Sequence, residues 1–255
     1  MDDREDGGAR RRVGLVLGAH WGLLAFFAGI AGYYLVNLTI TVLMNRHLGE
    51  FDPLELHDIG PLLLLAFLPN LLLGLGPVLG SRRWGAGLRA DFGLLPTWRD
   101  VRIGLACGLL ALVAGFALNL LSIAVYGTDD VTDSPLTDLA DTYRGDTGWL
   151  VLAAVIVVLG APVTEELLVR GTLWNGLSWY RIPPWAVLAL TALVFAQLHG
   201  EPTRVLALFG QGLAIGLARH LSGRVGAAVV AHAANNLPPA VFLFVGTGDF
   251  SLAAH

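Results

Sequence analysis

The sequence contains no lysine, and only 14% of its 255 residues are charged. An ordinary soluble domain has about 25% charged residues. By contrast, 55% of the residues are hydrophobic and the mean hydropathy is +0.65. This composition excludes a soluble globular protein, a disordered chain and a nucleic-acid-binding protein. The all-arginine basic set, with many Ala, Gly and Leu, is typical of a bacterial protein.

Cysteine is also scarce, because Cys107 is the only one in the chain. One cysteine forms no internal disulfide and builds no cysteine-type zinc site. Cys107 lies in an apolar run, so we predict a small buried hydrophobic side chain.

Long apolar runs recur along the chain and are typical of membrane-spanning helices. The first run is longer than the core of a signal peptide, which has about 7–15 residues, so we predict a retained span. The sequence therefore predicts an all-α polytopic membrane protein with about seven transmembrane helices, six to eight being compatible with it. The predicted spans are residues 13–44, 60–80, 101–126, 148–177, 184–199, 203–220 and 225–245.

The arginines are distributed unevenly around these spans, and arginine accumulates on the cytoplasmic side of short loops. With a cytoplasmic N-terminus, twelve of the sixteen lie in inner segments: Arg4, Arg10, Arg11, Arg12, Arg82, Arg83, Arg89, Arg99, Arg102, Arg181, Arg219 and Arg224. The carboxylates cluster instead in two outer loops, residues 50–58 and 129–146. We therefore predict a protein of the bacterial cytoplasmic membrane with its N-terminus inside.

Residues 81–100 are too polar to span the membrane and mix four of these arginines with apolar residues. Aromatic rings and arginine favour the headgroup layer. We predict an interfacial segment on the cytoplasmic face, its apolar residues being Trp84, Leu88, Phe92, Leu94, Leu95 and Trp98.

Two adjacent carboxylates, Glu165 and Glu166, lie inside the fourth predicted span. Neighbouring residues of a helix point about 100° apart, so the two acids serve different purposes. Arg170 follows Glu166 by four residues, a spacing that favours an ion pair. We predict a structural Glu166–Arg170 pair and a Glu165 carboxylate that projects elsewhere as a general base.

Two later spans carry further polar pairs at a spacing of four residues, Phe195 with His199 and His232 with Asn236. At 1.5 Å of rise per residue, Glu165, His199, His232 and Asn236 lie roughly 20, 24, 11 and 17 Å above the inner membrane edge. Tilted helices bring these heights together. The difference between the two histidines indicates a misplaced boundary, or a fifth span that does not cross the bilayer fully.

The patterns Glu-Glu-x-x-x-Arg at 165–170, Phe-x-x-x-His at 195–199 and His-x-x-x-Asn at 232–236 occur in this order. Together they resemble the three motifs of the CPBP family, the intramembrane proteases related to CAAX prenyl endopeptidases, also called the Abi or bacteriocin-processing family. The resemblance covers residues 148–246. Val169 departs from it, because the family often has Phe there.

The resemblance implies a four-helix catalytic core at 148–246 that hydrolyses peptide bonds within the bilayer. It follows an N-terminal three-span region at 1–147 and precedes a tail at 247–255. By motif position, Glu165 would activate water with the help of His199. His232 and Asn236 would support the oxyanion or the geometry of the site, and Glu166 and Arg170 would be its structural support.

Peptide hydrolysis needs an activated water, a proton acceptor and donor, and a stabilised oxyanion. The chain has no Gly-x-Ser-x-Gly and no His-Glu-x-x-His, so serine and zincin schemes lack their parts. Two schemes stay open. In the favoured one, Glu165 and His199 activate water and no cofactor is required. In the other, a divalent ion such as Zn²⁺ is held by Glu165, His199 and His232 and acidifies the water.

Two other functions are compatible with the sequence. A catalytically inactive family member would act as a membrane scaffold or in bacteriocin immunity. A proton-coupled transporter would also use intramembrane Glu and His, but the chain shows no inverted repeat. The expected partners are a peptide or membrane-anchored protein substrate and the lipid bilayer, with no nucleic acid, and the oligomeric state is not predicted.

Overall fold

The computed structural model of the protein describes residues 19–48, 60–127 and 147–245. The start of the first predicted span, the two acidic outer loops and the 247–255 tail lie outside the described residues. Within these three ranges the fold is entirely helical, with eight helices and no strand. They are α1 Gly22–Leu48, α2 Gly60–Trp84, α3 Leu88–Phe92, α4 Trp98–Tyr126, α5 Thr147–Trp179, α6 Pro184–Leu198, α7 Val205–Ser222 and α8 Val225–Val245.

The all-α polytopic membrane fold predicted from the apolar runs is confirmed. Helices α1, α4 and α5, and α7 with its preceding turn Pro202–Arg204, are long and apolar enough to cross a bilayer. Only the start of the first span differs, because residues 19–21 form a turn before α1. The Ala19 amide there donates to the carbonyl of Asn175 at 3.0 Å, outside any helical ladder.

Helix α6 is the shortest of the helices that correspond to the predicted spans. Its 15 residues rise about 22 Å, against a hydrocarbon core of about 30 Å. His199 follows its last residue as the C-cap, so the helix ends where the second motif ends. This length agrees with a fifth span that does not cross the bilayer fully.

Helices α4 and α8 approach each other closely through two glycines one turn apart, Gly104 and Gly108. A Cβ atom at Gly104 would lie 2.6 Å from the Cβ of Val230, and one at Gly108 would lie 2.7 Å from that of Ala234. Small residues at this spacing let membrane helices pack backbone to backbone. Because α8 carries the third motif, these glycines set where its side chains stand.

We expect Gly104→Ala to destabilise the protein by about 1–3 kcal/mol, since the added methyl group overpacks the α4–α8 contact. Gly32→Ala is the matched control, because a Cβ there meets its nearest neighbour, Leu72, at an ordinary 3.6 Å. Thermal unfolding in detergent measures both. Equal melting temperatures for the two variants would show that the α4–α8 contact yields without cost.

The segment at 81–100 folds into the end of α2, the short helix α3 and the start of α4. Asp91 holds it together, because its carboxylate accepts hydrogen bonds from the Ser81 hydroxyl at 2.5 Å and from the Ala86 and Gly87 amides. Trp84, Leu95 and Trp98 are exposed, as an interfacial segment requires; Phe92 is not.

Phe92 was predicted to lie among the interfacial residues, and this prediction is wrong. Its ring is completely buried and packs edge-on against Trp21, with the centroids 5.9 Å apart. It also belongs to a core cluster with Leu167, a residue next to the first motif. The segment at 81–100 is therefore joined to the helix that carries the two glutamates.

Candidate active site

Helix α5 changes its winding on both sides of the two glutamates. Residues Ile156–Gly160 and Leu167–Leu173 are π-helical, and the α-helical turn Ala161–Glu166 lies between them. A π segment adds a residue to the turn, and such segments are frequent at functional sites. The two acids therefore stand on a turn whose direction differs from that of a regular α-helix, which the sequence analysis did not predict.

The first π segment leaves one carbonyl without a main-chain donor, and Asn236 supplies it. The Ala161 amide bonds to the carbonyl of Ile156, five residues back. The same pattern would give Val157 the amide of residue 162, but Pro162 has no N–H. The side-chain amide of Asn236 donates to the Val157 carbonyl at 3.0 Å. This bond ties α8 to α5 just before the glutamates, and one Asn236 N–H is left for another acceptor.

Glu166 is the centre of a buried polar cluster. Its Oε1 accepts hydrogen bonds from Arg170 Nη1 at 2.9 Å and from His232 Nδ1 at 3.0 Å, and the Glu166 and Arg170 side chains are both 0% exposed. The predicted Glu166–Arg170 pair is present. The contact with His232 was not predicted, and it joins the first motif directly to the third.

Phe195 brings the second motif into the same cluster. The Arg170 guanidinium stacks over its ring at 4.7 Å, while Arg170 Nη2 donates to the Gly212 carbonyl at 2.7 Å. The rings of His199 and His232 lie 4.5 and 5.3 Å from the Phe195 ring. All three motifs therefore meet around one aromatic side chain.

His199 has one ring nitrogen engaged and one available. Its Nδ1 donates to the Phe195 carbonyl at 2.8 Å, a bond that requires the proton on Nδ1. In the neutral ring, Nε2 is then an acceptor. Since no described residue bonds to Nε2, the half-buried His199 presents a proton acceptor on its free side.

Glu165 differs from Glu166 in its burial and in its hydrogen bonds. Its side chain is half-buried and makes no hydrogen bond with any described residue, although it lies close enough to Arg170 to interact with its charge. A carboxylate without a fixed donor keeps its lone pairs available for water. The structure thus places one glutamate inside the cluster and leaves the other at its edge.

A second buried network supports the cluster from α7, and sequence reasoning missed it. Arg219 Nε donates to the carbonyl of Arg170 and Arg219 Nη2 donates to Asn175 Oδ1, both at 3.2 Å. Asn175 in turn donates to the Asp91 carbonyl at 3.4 Å. Arg219 was counted among the inner arginines, but it is buried in the protein. Its position inside an apolar span was the available signal.

The predicted metal ligands are not gathered. Among the described residues, no three His, Cys, Asp or Glu side chains converge as a metal site. Glu165, His199 and His232 do not form such a group among the described residues. A cleft of about 220 Å³ does adjoin the second motif; it is lined by Ala196, Gln197, Gly200, Glu201, Pro202 and Val205.

The sequence comparisons agree with this geometry. Residues 147–238 match the family model described as type II CAAX prenyl endopeptidase Rce1-like. The match begins with α5 and extends past Asn236, so it contains all three motifs. No curated protein and no solved structure matches the chain. Over residues 147–238 this membrane protein is therefore similar to the Rce1-like type II CAAX prenyl endopeptidases, a protease family, as the order of the three motifs predicted.

Proposed function

We propose that the protein is an intramembrane endopeptidase in which Glu165 takes a proton from the attacking water and His199 assists. The observation that carries this proposal is the difference between the contacts of the two glutamate side chains. Glu166 is held by Arg170 and His232, whereas Glu165 has no hydrogen-bond partner among the described residues. A general base needs such a free carboxylate within reach of water.

In this proposal, His232 and Asn236 stabilise the oxyanion. The Glu166 carboxylate accepts from His232 Nδ1, so it orients the ring and stabilises it when protonated, as the aspartate does in a catalytic triad. A protonated His232 donates from Nε2, and Asn236 donates its second N–H. Two donors aimed at the developing negative charge are the usual arrangement for peptide hydrolysis.

The substrate class follows from the location of the site in an apolar helical protein. We propose a peptide or a membrane-anchored protein as substrate, and the bacterial cytoplasmic membrane, with the N-terminus inside, as the location. The prenyl group in the family's name is not proposed for this chain, because bacteria generally lack prenylated CAAX proteins.

We propose that no cofactor is required. Asn is a poor zinc ligand but a good oxyanion donor, and the motifs supply only two histidines. A bound zinc ion would supply an acidified water.

The direct test is cleavage of a peptide library by the full chain purified in detergent, with metal content measured on the same sample. We expect cleavage by the wild type, none by Glu165→Ala, and little effect of chelators. Loss of cleavage on metal removal and its return with zinc would contradict the glutamate scheme. A folded wild type that cleaves nothing would instead favour the inactive scaffold or immunity protein.

We expect Asn236→Ala to lower kcat by about 10²–10³-fold, the usual cost of losing one oxyanion donor. Asn235→Ala is the control, because Asn235 is on the same helix and only donates to Asn236 Oδ1, at 3.1 Å. Steady-state kinetics and melting temperature are measured together. Equal losses of activity and stability in both variants would assign Asn236 to packing alone.

A further inference from the structure

A groove at the arginine-rich end of the protein lies outside the cluster described above. It runs between the first turns of α4 and the last turn of α7 and has a volume of about 390 Å³. This falls in the range of about 300–1,000 Å³ that is typical of small-molecule sites. Its lining combines two cations with apolar side chains: Arg99, Arg102, Ile103, Ala106, Cys107 and Leu221.

The two arginines of the groove are not neutralised by any described carboxylate. Arg102 makes no ion pair with a described residue, and Arg99 only donates to the Leu221 carbonyl at 3.5 Å. The adjacent acid, Asp100, is engaged elsewhere, because it accepts from Arg224 Nε at 2.9 Å and from the Thr97 amide at 2.7 Å. The mouth of the groove therefore carries positive charge that no described carboxylate compensates.

An exposed apolar track continues from the groove along α4. Arg102, Ala106, Leu109, Val113 and Phe116 follow one another at spacings of three or four residues, so they share one helix face. Leu109, Val113 and Phe116 are 63%, 58% and 69% exposed. The track rises about 21 Å, which exceeds the roughly 15 Å of one hydrocarbon leaflet.

We infer that this groove binds the headgroup of an anionic phospholipid, with an acyl chain lying along the track. A phosphate matches the two free guanidinium groups, and basic pockets between membrane helices are known to bind such headgroups. Trp98, one residue before Arg99, is 73% exposed, as expected of a side chain at the membrane interface. A soluble anion would use the arginines but not the track. This inference does not depend on the peptidase activity.

The inner wall of the groove also touches the core of the protein. Cys107 belongs to a buried cluster with Phe195 and Ala231, the residue before His232. A lipid seated here would therefore contact a residue of the same buried core cluster as Phe195. We expect the bound lipid to raise the melting temperature of the whole helical assembly.

The test uses the full chain in detergent, with phosphatidylglycerol or phosphatidylcholine of equal chain length added at equal concentration. Native mass spectrometry counts bound lipid, and thermal unfolding gives the shift in melting temperature. We expect wild type to retain phosphatidylglycerol preferentially. The double variant Arg99→Gln/Arg102→Gln should bind it about 10- to 30-fold more weakly, at about 1 kcal/mol per arginine.

The control is Arg82→Gln/Arg83→Gln, which removes the same charge from exposed arginines at the end of α2. Its binding should match wild type, and an equal loss in both double variants would overturn the proposal in favour of general charge attraction. Equal retention of the two lipids would also overturn it. Competition by inorganic phosphate at the affinity of the lipid would assign the groove to a free anion.

Discussion

Replacing Glu165 with glutamine is expected to lower kcat by about 10²–10⁴-fold and to leave the melting temperature unchanged. The size of the loss is that of a general base. The fold is insensitive because the Glu165 side chain has no described hydrogen-bond partner and is only half-buried. The amide has nearly the same shape but takes no proton from water. Steady-state kinetics on a peptide cleaved by the wild type, together with thermal unfolding, measure both quantities.

Two glutamates serve as controls for this substitution. Glu201→Gln changes a carboxylate that pairs with Arg204 in the cleft beside the second motif, and it should leave kcat near wild type. Glu166→Gln should lower both stability and activity, because Glu166 holds Arg170 and His232. A fully stable Glu166→Gln that loses all turnover, next to an active Glu165→Gln, would exchange the roles of the two acids.

We expect Arg170→Ala to unfold at a much lower temperature than the wild type and to be obtained in lower yield. The substitution leaves the Glu166 carboxylate buried without its cation, which costs about 3–5 kcal/mol in a soluble interior. It also removes the donor to the Gly212 carbonyl and the guanidinium that covers Phe195. Arg204→Ala is the control, because it breaks a partly exposed pair worth about 0–1 kcal/mol.

A double variant separates stability from chemistry at this pair. Replacing a whole buried ion pair with apolar residues of similar volume is often neutral, so Glu166→Leu/Arg170→Met should melt later than Arg170→Ala. It should stay inactive, since His232 loses the acceptor that orients its ring. A well-expressed Arg170→Ala protein that melts like wild type and lacks activity would place Arg170 in the chemistry instead.

The sequence was sufficient to predict those features of the protein that depend on the local spacing of residues. Apolar runs predict helices because the backbone must satisfy its own hydrogen bonds in lipid. The four-residue spacing of Glu166 and Arg170 predicts their ion pair because residues four positions apart are neighbours on one helix face. The order of the three motifs indicated the protease family whose model residues 147–238 match.

The π segments of α5 could not be predicted from the spacing of residues. They lengthen the hydrogen-bonded ring by one residue, and that change leaves no repeating pattern in an apolar stretch. Pro162 was the only local sign, since it lacks an amide that the first π segment would use. Its partner Asn236 is 79 residues away from Val157 along the chain, too far for any spacing rule.

The contacts between distant helices were hidden for a related reason. The bond from Glu166 to His232 and the close approach of Gly104 to Val230 depend on how helices cross. Tertiary packing sets those crossings, and a residue pattern on one helix describes only its own face. Arg219 shows the same limit, because only the fold reveals that it is turned into the core.

The bond between Glu166 and His232 joins residues 66 positions apart, the later one on the last described helix. Synthesis proceeds from the N-terminus, so a chain still emerging from the ribosome has its glutamates in the membrane before either His232 or Asn236 has been made. The two residues that we propose as oxyanion donors are made only with α8. On the proposed mechanism, the nascent protein is therefore inert during insertion, and its hydrolytic capacity begins only when assembly of these helices is complete.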